Sequence, residues 1–163
     1  AVGSHGLLGK QNLYDHSMRV PLIFSHPALP QGLRIDQLRY LSDVFPTVLD
    51  ILHRKKPNLS SESLFNYFQH PHKNGRNNVY FAYRDIQRAV RTEDNWKYIR
   101  YQVGGIATRQ LFNLNVDPYE TQNLVLREKR KLKAMQKKLI REANKYHDFL
   151  DLRIDDWGTG NRQ

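Results

Sequence analysis

Between about Arg127 and Leu150 the apolar residues Leu132, Met135, Leu139, Ala143, Tyr146 and Leu150 recur every three or four positions, with Lys and Arg filling the rest. That period gathers the apolar side chains into one stripe of a single long helix and turns the charges the other way. Leu132, Leu139 and Tyr146 are therefore expected to be buried, and Lys131, Lys138 and Arg141 to stay solvated. A helix whose stability comes from one apolar stripe needs a surface to cover it. The preceding segments, "NVYFAYRD", "RAVRTEDNWKYIRYQ" and "TRQLFNLN", are rich in aromatic and branched residues and are punctuated by Asn95 and Gly104-Gly105. They read as an antiparallel meander. "DPYETQNL" closes it as a capped turn, so the C-terminal half should be a small antiparallel sheet packed by the long helix.

The first half has a different texture. Gly3, Gly6 and Gly9 mark a loop, and it runs into "VPLIF", an apolar stretch bounded by Pro21 and Pro27 that reads as a buried strand. In "IDQLRYLSDVFPTVLDILHRK" the apolar residues keep helical spacing, but Pro46 is excluded from a helix interior. A break at Ser42 or Asp43, with Asp43 as N-cap and Pro46 in the first turn, leaves a short helix to about His53. "KKPNLSSESLFNYFQHPHKNGRNN" is a long connection with one apolar knot at Leu64, Phe65, Tyr67 and Phe68.

The 163 residues are enough for one ordinary core, and the 39% apolar fraction permits it. Zero cysteines exclude disulfides and thiolate chemistry. No apolar run approaches the roughly 20 residues of a membrane span, so no membrane partner is expected. A net charge of +10 points to an anionic partner: nucleic acid, an acidic polysaccharide, a sulfate or phosphate ester, or an acidic surface of the same protein.

Four stretches, "GSHGLLGKQNLYDHSMRVPLIF", "SDVFPTVLDIL", "RAVRTEDNWKYIRY" and "LFNLNVDPYETQNL", follow in the order and spacing of landmarks in the C-terminal half of the arylsulfatase family, of the alkaline-phosphatase-like superfamily. The chain resembles that half from its first residue through the long helix. The resemblance implies an α/β fold: residues 1–56 ending a large three-layer domain, 57–78 a connecting loop, and 79–163 a subdomain of antiparallel strands plus the long helix. It also implies sulfate-ester hydrolysis by a formylglycine and calcium mechanism. No Cys/Ser-x-Pro-x-Arg segment occurs here, since there is no Cys and "SHPAL" lacks the arginine. The nucleophile and the calcium ligands are thus expected upstream of Ala1, on the missing N-terminal part of the enzyme, and the 163 residues alone are expected to be inactive. By the same resemblance the enzyme is periplasmic or extracellular, and its substrate is a sulfated small molecule or polysaccharide.

Lys10 falls at the position of the family lysine that reaches the sulfate, where an ammonium beside glycines stabilises charge developing on a sulfuryl oxygen. Its alternative is a solvated surface lysine. His5 is a second candidate, either binding substrate or donating a proton, or merely satisfying a backbone carbonyl. His16 and Arg19 are expected to cap or to pair with Asp15. His70 and His72 lack a companion carboxylate or thiolate for a metal, and no metal ligand is assigned to the chain. Asp117 and Glu120 resemble an acid-base pair but are expected to stabilise a turn and the start of the helix. Arg84, beside Tyr83, is either a substrate-selecting cation or a solvated one. Two other functions stay open: a phosphonate or phosphate-ester hydrolase of the same superfamily, and a basic module stacking single-stranded nucleic acid on exposed aromatics of the sheet.

Overall fold

The computed structural model describes residues 2–71, 73–103 and 106–148. Expectations placed on His72, Gly104-Gly105 and Leu150 lie outside the described residues. In chain order the elements are α1 (Asp15–Met18), α2 (Val44–Ile51), α3 (Phe65–Gln69), β1 (Asn78–Tyr83), β2 (Gln87–Thr92), β3 (Trp96–Val103), β4 (Ile106–Asn113) and α4 (Lys129–Lys145). They fall into two compact units, Ala1–Val20 with Tyr80–Gln163, and Pro21–Val79.

In the first unit the strands form one antiparallel sheet in the order β1-β2-β3-β4. Gln87 stands opposite Tyr101 and Arg91 opposite Lys97, while Trp96 stands opposite Asn113 and Val103 opposite Ile106. The turn between β2 and β3 is made at Asn95, whose φ of 60° lies in the left-handed region that asparagine tolerates better than most residues. Because strand side chains alternate, each strand contributes to both faces. Tyr80, Val90, Tyr98 and Leu111 meet Leu132, Met135, Leu139 and Ala143 of α4 on one face. Ala89, Ile99 and Phe112 meet Leu13, Tyr14 and Leu114 on the other. The sheet is therefore covered twice, by the long helix and by the segment just after the glycine loop. Of the aromatics on which a stacking surface for nucleic acid would depend, Tyr80 and Tyr98 are buried against α4, while Phe81, Tyr83, Trp96 and Tyr101 are half-buried.

The helix register holds at its centre and fails at its edges. Leu139 is 1% exposed and Leu132 is buried, but Tyr146 is 40% exposed. α4 ends at Lys145, so Tyr146 leaves the helical period and lays its ring against Tyr80, 5.8 Å between centroids. Lys131 is not fully solvated either: its ammonium pairs with Asp94 at 2.6 Å and stands 4.9 Å from the Trp96 ring centroid. Leu139→Ala should cost roughly 2 to 5 kcal/mol, because an enclosed site cannot collapse around the missing atoms. Chemical denaturation of the two proteins checks this, and a loss under about 1 kcal/mol would mean that α4 is loosely docked.

The second unit is built around Asp43, which is fully buried. Its carboxylate accepts from the backbone N–H groups of Tyr40 (2.9 Å) and Glu62 (3.0 Å) and from the Arg76 guanidinium. Asp43 is the N-cap of α2 by position, but its side chain closes the turn before the helix instead of capping it. Pro46 sits in the first turn of α2, where its missing N–H has no intrahelical partner to lose. The apolar knot folds as α3, with Leu64 and Tyr67 buried and the Arg39 guanidinium 3.9 Å from the Tyr67 ring centroid. "VPLIF" departs from expectation. Residues 21–24 form no strand and pair with none of the described strands, and Ile23 is 87% exposed. An extended apolar segment becomes a strand only when a neighbour takes its N–H and C=O groups.

Candidate functional site

The loop before α1 is folded on itself. The Gly3 N–H donates to the Leu7 carbonyl (3.0 Å), the Leu7 N–H to that of Ser4 (3.0 Å), and Val2 bridges Leu8. Closing so short a ring drives Gly3 to φ 86° and His5 to φ 57°; the first is free for glycine, the second uncommon for a residue with a side chain. Lys10 follows Gly9 and is exposed, as is His5.

Three rings organise the exit from this loop. The His5 imidazole lies parallel to the Tyr14 ring, 3.9 Å between centroids, and His16 stands 5.5 Å from His5 and 5.7 Å from Tyr14. Tyr14 is itself pinned in the second face of the sheet, where its hydroxyl donates to Gln110 Oε1 at 2.7 Å. Burial, only partly opposed by that hydrogen bond, pushes the Tyr14 hydroxyl up to about 12, so it stays protonated as a donor. His16 titrates below its ordinary value, chiefly through partial burial, with the Lys97 ammonium among the neighbouring charges that disfavour its protonated form.

Beneath the stack lies an ionic knot. The Lys97 ammonium is fully buried, 2.8 Å from Asp15 Oδ1 and 2.8 Å from Glu120 Oε1. Arg91 reaches the other Asp15 oxygen at 2.9 Å, and the Asp15 N–H donates to Glu120 Oε2 at 2.6 Å. Two cations from adjacent strands and one carboxylate from the turn after β4 thus hold the first residue of α1. His16 and Arg19 were expected to cap or to pair with Asp15; Arg19 is the C-cap of α1, but the Asp15 carboxylate pairs with Arg91 and Lys97, because the side chains of β2 and β3 on this face rise directly under α1. Of Arg19, only the backbone N–H reaches Asp15, at the carbonyl oxygen (2.8 Å).

Asp117 and Glu120 do not act as a pair. The Asp117 carboxylate accepts from the Thr121 N–H (3.0 Å), the Thr121 hydroxyl (3.0 Å) and the Gln122 N–H (2.8 Å). Burial alone would raise its pKa, but these donors outweigh that and lower it. It stabilises the turn, as expected, but not the start of α4, whose N-cap is Glu128. Arg84 is an exposed turn residue with φ 48°, its guanidinium 5.6 Å from the Tyr83 ring centroid. His70 ends α3 and is exposed.

Among the described residues no three His, Asp or Glu side chains converge on a point that could hold a metal ion. Asp15 and Glu120, a close carboxylate pair, already surround an ammonium. These residues do not fit a calcium ion.

Lys97, Arg91 and Tyr14 were not singled out in the sequence, and Glu120 was read there as a turn residue and not as a partner of Lys97. The available signal was Lys97 itself, a cation at an alternating position of "WKYIRY" on the same strand face as Ile99. A charge on a covered face requires a buried partner.

The model of the family described as N-sulphoglucosamine sulphohydrolase, C-terminal, matches residues 3–148, from the glycine loop to the end of the described helix. The chain belongs to that family. Human arylsulfatase K is 31% identical over 136 residues, covering 76% of this chain and 25% of its own length, and the Xenopus laevis protein of the same name is 30% identical over 149 residues, covering 83% and 28%. The chain thus spans about a quarter of the length of the curated relatives it matches. Among solved structures, a putative sulfatase from Bacteroides thetaiotaomicron superposes with TM-score 0.66 at 24% identity, over 83% of this chain and 31% of that one. A protein solved in complex with its substrate D-glucosamine-2-N,6-O-disulfate gives 0.57 at 20% identity, over 73% and 25%. At these identities the likeness is one of fold: mixed α/β with a four-stranded antiparallel sheet and a C-terminal helix.

Proposed function

We propose that this chain is the C-terminal portion of a sulfatase that hydrolyses sulfate esters, and that Lys10, with His5 beside it, faces the sulfate group. The observation that carries the reading is the family match across residues 3–148, which begins in the folded loop bearing both side chains. In that role the Lys10 ammonium opposes the negative charge that grows on the sulfuryl and leaving-group oxygens as the ester bond breaks. The imidazole of His5, held flat against Tyr14, lies beside it as a second donor. Formylglycine would supply the nucleophilic oxygen and calcium would balance the sulfate charge. Neither is held by residues described here, and both are assigned to the part of the enzyme outside this chain.

The substrate class we favour is a sulfated sugar, free or within a polysaccharide, acting outside the cytoplasm in the periplasmic or extracellular space. Two observations support it: one structural neighbour was solved with a disulfated glucosamine, and the basic balance of +10 suits a polyanion. The test is release of inorganic sulfate from sulfated monosaccharides by the complete enzyme. Turnover of phosphate esters with none of sulfate esters would overturn the reading.

A further inference from the structure

α4 presents two faces of opposite character. The stripe toward the sheet carries Leu132, Met135, Leu139 and Ala143. On the outer side, Arg130, Lys133, Lys137, Arg141 and Lys145 are exposed and recur every three or four residues, so they form one row about 22 Å long. No carboxylate interrupts it: Glu142 is buried on the inner side, and Glu128 precedes the helix. Among the described residues Arg130, Lys133, Lys137 and Arg141 form no ion pair, and Lys145 approaches Glu142 only at 4.0 Å. Packing does not need such a row. Like charges three and four positions apart repel by a few tenths of a kcal/mol per pair, and polar uncharged residues would solvate that face equally well.

We propose that this row is a binding surface for an extended sulfated polysaccharide, separate from the site that bears Lys10. An evenly spaced line of cations is complementary to a polymer with anionic groups along its length. The row holds no aromatic side chain on which bases could stack, and no large apolar residue to enter a lipid surface, which disfavours single-stranded nucleic acid and a membrane. The row lies on the α4 side of the sheet, whereas Leu13 and Tyr14, which anchor the loop of Lys10, pack on the opposite face. The surface therefore holds the enzyme on the polymer without shaping the reacting sulfate. The choice of polymer rests on the sulfatase reading; the existence of the surface does not.

The complete enzyme is titrated with a size-defined heparin fragment across a salt series, beside two variants of equal charge loss. One is Lys133→Gln/Lys137→Gln/Arg141→Gln; the other is Arg54→Gln/Lys55→Gln/Lys73→Gln, three exposed cations elsewhere. The row variant should bind at least about tenfold more weakly near 0.15 M salt, with a shallower salt dependence, since each lost contact releases fewer counterions. The control variant should bind within about twofold of the parent, and kcat/KM for a small sulfated monosaccharide should be unchanged in both. Equal losses in the two variants, no loss in the row variant, or tighter parental binding to single-stranded RNA or anionic vesicles than to the fragment would each overturn the proposal. Row-dependent binding without release of sulfate by the parent would leave the surface standing and sink the proposed reaction instead.

Discussion

Replacing Lys10 by alanine in the complete enzyme is expected to lower kcat by a factor of about a hundred to a thousand while leaving the melting temperature nearly unchanged. The two halves of that expectation have separate origins. Lys10 is exposed and follows Gly9 in a loop closed by its own backbone hydrogen bonds, so its side chain contributes nothing to the core. A preorganised donor aimed at charge that develops only in the transition state is worth roughly 2.7 to 4 kcal/mol. Lys10→Arg should recover only part of the rate, because a planar guanidinium places its charge differently from a compact ammonium. His5→Ala should cost less. Steady-state kinetics on a sulfated monosaccharide, with thermal melts alongside, decides the matter; a Lys10→Ala enzyme with near-normal kcat would reduce this residue to a surface charge.

The second large effect should fall on stability. Lys97→Met removes a fully buried ammonium from between Asp15 and Glu120 and leaves Arg91 as the remaining cation. Breaking a buried pair from one side typically costs about 3 to 5 kcal/mol, because a carboxylate is stranded away from water. Replacing the pair together, Lys97→Met with Glu120→Gln, keeps the Arg91–Asp15 ion pair and should recover much of that loss. If Lys97→Met proves as stable as the parent in chemical denaturation, water reaches the knot and the ion pairs contribute little. A consequence for the loop follows from the same contacts. Asp15 is adjacent to Tyr14, on which His5 is stacked, so loosening the knot should raise KM even in molecules that remain folded.

Much of this architecture is visible in the sequence, for a definable reason. Periodic elements carry their partner's position in their own spacing: Leu132, Met135, Leu139 and Ala143 mark the buried stripe of α4, and the alternation of Val90, Tyr98 and Leu111 marks the face that receives it. Asn95 and Pro46 announce a turn and a helix start through their own backbone chemistry. What spacing does not carry is which distant segment supplies a partner. The second covering of the sheet by Leu13 and Tyr14, and the pairing of Asp15 with Arg91 and Lys97 in place of His16 and Arg19, depend on contacts across 76 to 105 residues. "VPLIF" misleads for the complementary reason: its composition favours a strand, but pairing is a property of two segments, and no described strand pairs with it. Lys10 and His5 enter as candidates only through the resemblance, since an exposed lysine and a loop histidine have no local signature of their own.

The distance in sequence between Asp15 and Glu120 also sets an order of events during synthesis. The segment bearing Tyr14 and Asp15 is made before the sheet, yet the groups that fix it, Lys97, Gln110, Phe112 and Glu120, are made about 80 to 105 residues later. At 5 to 20 residues per second that is a wait of roughly 4 to 20 seconds. For that interval Leu13 and Tyr14 have no complete sheet to cover, and until α4 is made in its turn the opposite apolar face of the sheet stays open. Pulse-labelled hydrogen exchange during refolding should accordingly protect the amides of β2 and β3 before those of residues 13–18, and simultaneous protection would contradict this order. A segment made before the sheet is then fixed only once the sheet exists, and nascent chains stalled before residue 120 should be more prone to aggregate than those stalled after it.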